Sequence, residues 1–197
     1  MGYHRAGFDV VGVDINPQPC YPFEFHQGDA MTWPLDGFDA IHASPPCQAY
    51  SWTRYLGNKS GEDAPELVHP TRDRLVANGT PWVMENVVGS PLANPLMLCG
   101  SSFGLHVRRH RLFESSELVF GLPCRHGAMP RPITVVGDHP QTSHDRSYRM
   151  NRARTLAEGQ EAMGIDWMPW KSLTQAIPPA YTEWIGAQLL ASLRAVA

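Results

Sequence analysis

Three short apolar runs, each ending on polar residues, limit the folds open to this chain: residues 9–14 (DVVGVD), 38–43 (FDAIHA) and 81–87 (PWVMENV). Runs of that length suit buried strands better than helices. Between the second and third lies a helix that starts near Pro70, where proline suits a first turn, and stops at Gly79. Strands separated by helical or loop segments predict an α/β fold on a mostly parallel sheet. In such sheets ligands gather at the carboxyl ends of the strands. Asp14, residues 44–48 (SPPCQ), Glu85 and Asn86 all stand at or just beyond those ends, so the pattern predicts one site.

Beyond Gly104 the character changes. Residues 108–115 (RRHRLFES) read as a strand in which basic and other residues alternate. Residues 116–154 are rich in Pro, Gly, His and Arg, and only 133–136 resemble a strand. Regularity returns with helices over 155–163 (TLAEGQEAM) and 178–196, the second opened by Pro178 and Pro179. A chain of 197 residues, 43% of them hydrophobic, can bury one full core and a small appendage. The expected organisation is a principal domain of residues 1–115 and 155–197, with a small inserted region over 116–154. No apolar stretch approaches the roughly 20 residues that span a bilayer, and the opening lacks a secretory pattern, which predicts an intracellular, cytoplasmic protein.

The net charge of −3 is unevenly spread. Residues 106–154 carry nine Arg against four acidic side chains, on an otherwise acidic body. Arg125, Arg131, Arg146, Arg149, Arg152 and Arg154 belong to this stretch. A localised phosphate-facing surface would have this distribution, and so would a solvated loop with scattered Arg.

The four cysteines, Cys20, Cys47, Cys99 and Cys124, have no CxxC spacing. Cys124 and His126, with His110, His139 and His144, are zinc-ligand types, but their spacing fits no finger pattern and no metal ligand is expected. Cys47 is different, because SPPCQAYS sets it in a Pro-Pro loop directly after a buried strand. Proline fixes the backbone there and holds the side chain at a defined angle. An arbitrary cysteine in a core is usually inert. A positioned sulfur, by contrast, can add to carbon 6 of a pyrimidine and make carbon 5 nucleophilic. That addition needs a proton at ring nitrogen 3, which a buried carboxyl such as Glu85 can hold. Glu85 is equally readable as an ordinary strand-end acid paired with an Arg.

PPCQ, then ENV with its Glu 38 residues after the cysteine, then RRHR, form a combination that resembles the DNA cytosine-5 methyltransferase family. The resemblance implies a Rossmann-like methyltransferase fold, Cys47 as nucleophile, Glu85 on the cytosine edge, and Arg109 and Arg111 orienting the base. Val107 stands where the family has glutamine. The implied cofactor is S-adenosyl-L-methionine, with Asp14 accepting from the ribose hydroxyls, Ile15 beside it, Asp29 of the GDA segment on the adenine amino group, and Pro45 near the methyl donor. Residues 174–186 (TQAIPPAYTEWIG) are similar to the closing motif of the family, with Gln175 and Ala176 at its cofactor-facing positions. A bland reading of both acids is a surface carboxylate after a strand, and of the closing motif a proline-started terminal helix. The family opens with a strand and an FxGxG loop, whereas MGYHRAGF resembles the segment that comes after that loop, so a start further upstream is expected.

The implied partner is double-stranded DNA, bound by a compact monomer. Gln48, Ser51, Arg125, Arg131, Arg146 and Arg149 are the expected nucleic-acid contacts, and residues 116–154 the reader of a short target. Carbons 5 and 6 become reachable only when the cytosine leaves the stack, so base flipping is implied. Restriction-modification, protection and regulation all remain open as roles. So do a catalytically inactive DNA-binding remnant and an RNA cytosine-5 methyltransferase, since a tRNA-directed branch shares PPCQ and ENV. Thymidylate-synthase-type enzymes also use a Pro-Cys nucleophile, but His usually comes next, where Gln48 stands here.

Overall fold

The computed structural model describes residues 1–51, 64–128, 131–142 and 151–196. The three apolar runs form strands at their carboxyl-terminal portions: β1 (Val11–Asp14), β3 (Ile41–Ala43) and β4 (Trp82–Asn86). Two further strands, β2 (Glu24–Gln27) and β5 (Leu96–Leu98), arise where neither composition nor alternation marks them. The basic run supplies β6 (Arg111–Ser115). The helices are α1 (Gly2–Ala6), α2 (Val68–Asn78), α3 (Leu156–Met163), α4 (Trp170–Leu173) and α5 (Pro179–Val196). Residues 133–136 contribute an isolated bridge, Thr134 to Arg152, instead of a strand.

The architecture is mixed α/β with small sheets. β1 and β2 pair in parallel, Val11 opposite Glu24 and Asp14 opposite Gln27. A four-stranded sheet has the order β3-β4-β6-β5. In it β3 and β4 are parallel, Ala43 opposite Met84, while β4 and β6 are antiparallel, Asn86 opposite Leu112. The expectation of a mostly parallel sheet is thus corrected at β6. A parallel neighbour needs a crossover, usually helical, and only a short 3-10 turn at Gly100–Phe103 intervenes between β4 and β6 besides β5. All five β4 residues are buried, which is why this strand reads as a continuous apolar run up to Glu85.

Two compact units are distinguishable. The first comprises Met1–Val10, Leu98–Arg109 and Leu122–Ala187; the second comprises Val11–Met97, His110–Gly121 and Gln188–Ala197. Of the described residues in 116–154, those of 116–121 group with the second unit and those from 122 on with the first. The first unit buries Val107, Val135, Met163, Ile165 and Leu173 in one cluster, which Trp170 caps by donating its indole N–H to the Gly137 carbonyl at 2.8 Å. Thr155 caps α3, its hydroxyl accepting from the Glu158 N–H at 3.1 Å.

The core of the second unit joins Val68 and Leu75 of α2 to Trp82 and Met84 of β4, with Leu92. Arg72 of α2 makes a two-pronged pair with Glu114 of β6, Nε to Oε1 at 2.6 Å and Nη2 to Oε2 at 2.7 Å. Glu114 Oε2 also accepts from the Ala93 N–H at 2.8 Å, so a buried carboxylate fixes helix, strand and loop together. Among the described residues, no helix is long and apolar enough to cross a membrane.

Candidate functional site

β3 and β4 run parallel, so their carboxyl ends lie side by side. Glu85 leaves the pairing one residue after Met84, and Cys47 four residues after Ala43. Asn86, 1% exposed, stitches the two ends: its Nδ2 donates to the Pro45 carbonyl at 2.9 Å, while its Oδ1 accepts from the Val87 N–H at 2.9 Å. Pro45 is buried, Cys47 half-buried and Gln48 exposed. The Cys47 carbonyl accepts from both Tyr50 N–H at 3.0 Å and Ser51 N–H at 2.9 Å, which closes a turn directly after the thiol. Two prolines before it and two hydrogen bonds after it leave the Cys47 backbone little freedom.

Glu85 lies opposite Phe113 in the β4–β6 ladder. Its Oε1 stands 2.9 Å from Arg111 Nε, the two side chains being 10% and 17% exposed. Glu85 thus has the arginine partner that one sequence reading allowed, a nearly buried counter-charge. Arg111 Nη1 also donates to the His110 carbonyl at 3.0 Å. In β3, His42 Nε2 is 3.0 Å from Ser44 Oγ, and burial lowers its pKa from 6.5 to about 4, leaving a neutral imidazole at neutral pH.

The acids assigned to cofactor stand at the ends of the other parallel pair. Asp14 ends β1, and its Oδ1 accepts from the Asn16 N–H at 2.7 Å. Asp29 follows β2 by two residues, and its Oδ1 accepts from the Met31 N–H at 2.8 Å. The two turns are tied by Gly28 N–H to the Asp14 carbonyl at 3.0 Å and by Gln27 Nε2 to the Ile15 carbonyl at 3.1 Å. Ile15, the residue after Asp14, is an apolar side chain 65% exposed. A Cβ on Gly28 would lie 2.8 Å from the Trp33 ring, so only glycine lets that indole pack where it stacks on His26, 5.1 Å between centroids.

α2 touches both loops. The Val68 N–H at its start donates to the Tyr50 hydroxyl at 3.4 Å, and Arg74 donates to the carbonyls of Ala30, at 2.7 Å, and Trp33. One helix of the second unit thus fixes the Cys47 turn and the Asp29 turn.

Arg109 and Arg111, expected to act as a pair, are placed on different partners. In the first unit Arg109 donates from Nε to the Ala176 carbonyl at 2.7 Å, from Nη2 to that of Thr174 at 2.6 Å, and from Nη1 to that of Val135 at 3.4 Å. Its backbone has φ 35°, and its own carbonyl accepts from the Tyr181 hydroxyl at 2.9 Å. Arg109 is there a clasp on the turn that holds exposed Gln175 and half-buried Ala176. Val107 is buried in the core of the first unit, so that position turns inward.

Arg125, Arg131 and Arg154 are exposed. Arg152 donates to the carbonyls of Val136 at 3.1 Å and His139 at 2.7 Å. Arg146 and Arg149 lie outside the described residues. Sequence reasoning did not single out Asn86 as a stitch or Arg74 as a loop anchor. The place of Asn86 next to Glu85 at a strand end was the available signal; nothing local marked Arg74. No protein-family model matches the chain, and no curated protein matches it.

Proposed function

We propose that this chain is an S-adenosyl-L-methionine-dependent methyltransferase acting on carbon 5 of cytosine in DNA. The observation that carries the reading is the junction at the ends of β3 and β4, where Asn86 Nδ2 holds the Pro45 carbonyl at 2.9 Å and Arg111 holds Glu85 at 2.9 Å. A thiol turn and a buried carboxylate with its own counter-charge are thereby fixed on adjacent strand ends. Such a pairing serves addition of sulfur to carbon 6 with charge relief at the opposite edge of the ring.

The fit to the cofactor rests on the parallel pair β1–β2. Adenosine offers two ribose hydroxyls and an exocyclic amino group, all donors, around an apolar ring face. Asp14 and Asp29 offer carboxylate acceptors, and Ile15 offers exposed apolar surface. When bound, this group supplies an electrophilic methyl. Cys47, as thiolate, forms the bond to carbon 6, and Glu85 hydrogen-bonds the ring at nitrogen 3 and the neighbouring amino group while Arg111 keeps its orientation. Carbon 5, made nucleophilic, would accept that methyl with S-adenosylhomocysteine leaving, and loss of the carbon 5 proton to water would let the Cys47 sulfur leave again. Gln48 and Ser51 border the flipped base, and exposed Arg125 and Arg131 serve phosphate contacts.

The test is transfer of labelled methyl from S-adenosyl-L-methionine to duplex DNA, with tRNA run beside it. Transfer to duplex DNA that falls to background in Cys47→Ser, with an unchanged circular dichroism spectrum, supports the reading. Full transfer by that variant would sink the role of Cys47, and transfer to tRNA alone would move the substrate to RNA.

A further inference from the structure

The first unit holds a constellation of its own. Cys99 is fully buried just before the 3-10 turn Gly100–Phe103, and Gly100 N–H donates to the Arg108 carbonyl at 2.8 Å, folding residues 99–109 into a closed loop. Ser102 Oγ donates to the Pro123 carbonyl at 2.8 Å, which brings the segment of Cys124 and His126 onto that loop. Cys99 Sγ stands 3.4 Å from His126 Nε2, and Cys124 is hydrogen-bonded to Cys99 through their side chains. The ligand atoms of Cys99, Cys124 and His126 all lie within 4.8 Å of one another.

We infer that Cys99, Cys124 and His126, all of the first unit, bind a zinc ion through two thiolates and one imidazole. Zinc holds sulfur at about 2.3 Å and imidazole nitrogen at about 2.0–2.1 Å, so the edges of its ligand tetrahedron are roughly 3.3–3.8 Å long. The 3.4 Å separation of Cys99 Sγ and His126 Nε2 is such an edge.

A supporting shell is present as well. Ser101, itself buried, places Oγ 3.0 Å from Cys99 Sγ, and the same Oγ accepts from the Arg125 N–H at 3.0 Å, which fixes the peptide next to Cys124. Two soft thiolates and an imidazole select zinc over magnesium or calcium. Binding one zinc ion releases two thiol protons to solvent. The site uses neither Cys47 nor Glu85 and stands whether or not the chain transfers methyl groups.

The test loads the full chain, stripped with a chelator, with Co²⁺ alone and then with Zn²⁺ alone. The expected result is one ion per chain, intense visible absorption of tetrahedral cobalt with thiolate charge-transfer bands, displacement of cobalt by zinc, and a higher melting temperature with zinc. Cys124→Ser and His126→Ala should each lose the charge-transfer spectrum or weaken binding at least tenfold. Cys20→Ser, an exposed cysteine outside the cluster, should bind as the parent does. Because Cys99 is buried and its variants could fail to fold, Cys124 and His126 carry the comparison. A pale octahedral cobalt spectrum, no stoichiometric binding, or equal binding by Cys124→Ser and His126→Ala would overturn the proposal.

Discussion

At the residue scale, the Glu85–Arg111 pair sets what the site can hold. The pair is mostly buried, so neither charge is stable there without the other. Arg111→Ala is expected to cost about 3–5 kcal/mol, because it strands a buried carboxylate, whereas Glu85→Gln keeps shape and some hydrogen bonding and should cost less. Denaturant unfolding of the two variants checks the order. Glu85→Gln should also slow methyl transfer well beyond its effect on stability; an unchanged rate would place the acid elsewhere. His42 makes a separate prediction. Its pKa falls from 6.5 to about 4 on burial, so between those values the unfolded chain binds a proton that the folded chain does not. Stability from this group is fully present above pH 6.5 and is lost as the pH falls through about 4. The loss is on the order of 3 kcal/mol. Unfolding midpoints measured across that range should decline, and His42→Gln should flatten the decline.

At the element scale, α2 shows why some boundaries were legible. Pro70 is the third residue of α2, where the missing N–H would have had no helical partner, and Gly79 ends the helix at φ 80°. Both signals are local, and both placed the helix within two residues. The α3 start was equally plain, since Thr155 is followed at the third position by Glu158, and Thr155→Ala should cost about 1 kcal/mol in chemical denaturation. β2 and β5 had no such signature, because EFHQ and LML are too short for alternation to register, and pairing with β1 and in the β6-edge sheet makes them strands. Glu114 was invisible in the same way. It reads as a polar residue in a basic run, yet it holds Arg72 of α2 and the Ala93 N–H. Glu114→Ala should destabilise by about 3–5 kcal/mol. A loss under about 1 kcal/mol would mean that Arg72 finds water or another acceptor.

At the scale of the whole molecule, apolar side chains gather around Leu173 and Ile165 in the first unit and around Leu75 and Met84 in the second. Leu173→Ala removes a fully buried side chain and should cost about 2–5 kcal/mol. Hydrogen exchange should then accelerate most at the amides of α3 and α4 and least in β4. Uniform acceleration in both units would show that they unfold as one cooperative block. The order of residues along the chain settled the local facts: where strands and helices could form, where proline and glycine end them, and that a cysteine, a glutamate and two acids fall at strand ends. Those follow from propensity, caps and hydrophobic runs, which act over a few residues. Folding in three dimensions settled the direction of β6, the separate partners of Arg109 and Arg111, the buried pairing of Arg72 with Glu114, and the meeting of Cys99 with Cys124 and His126. These depend on contacts between residues far apart in the chain, and no local spacing records which distant segments will share a core.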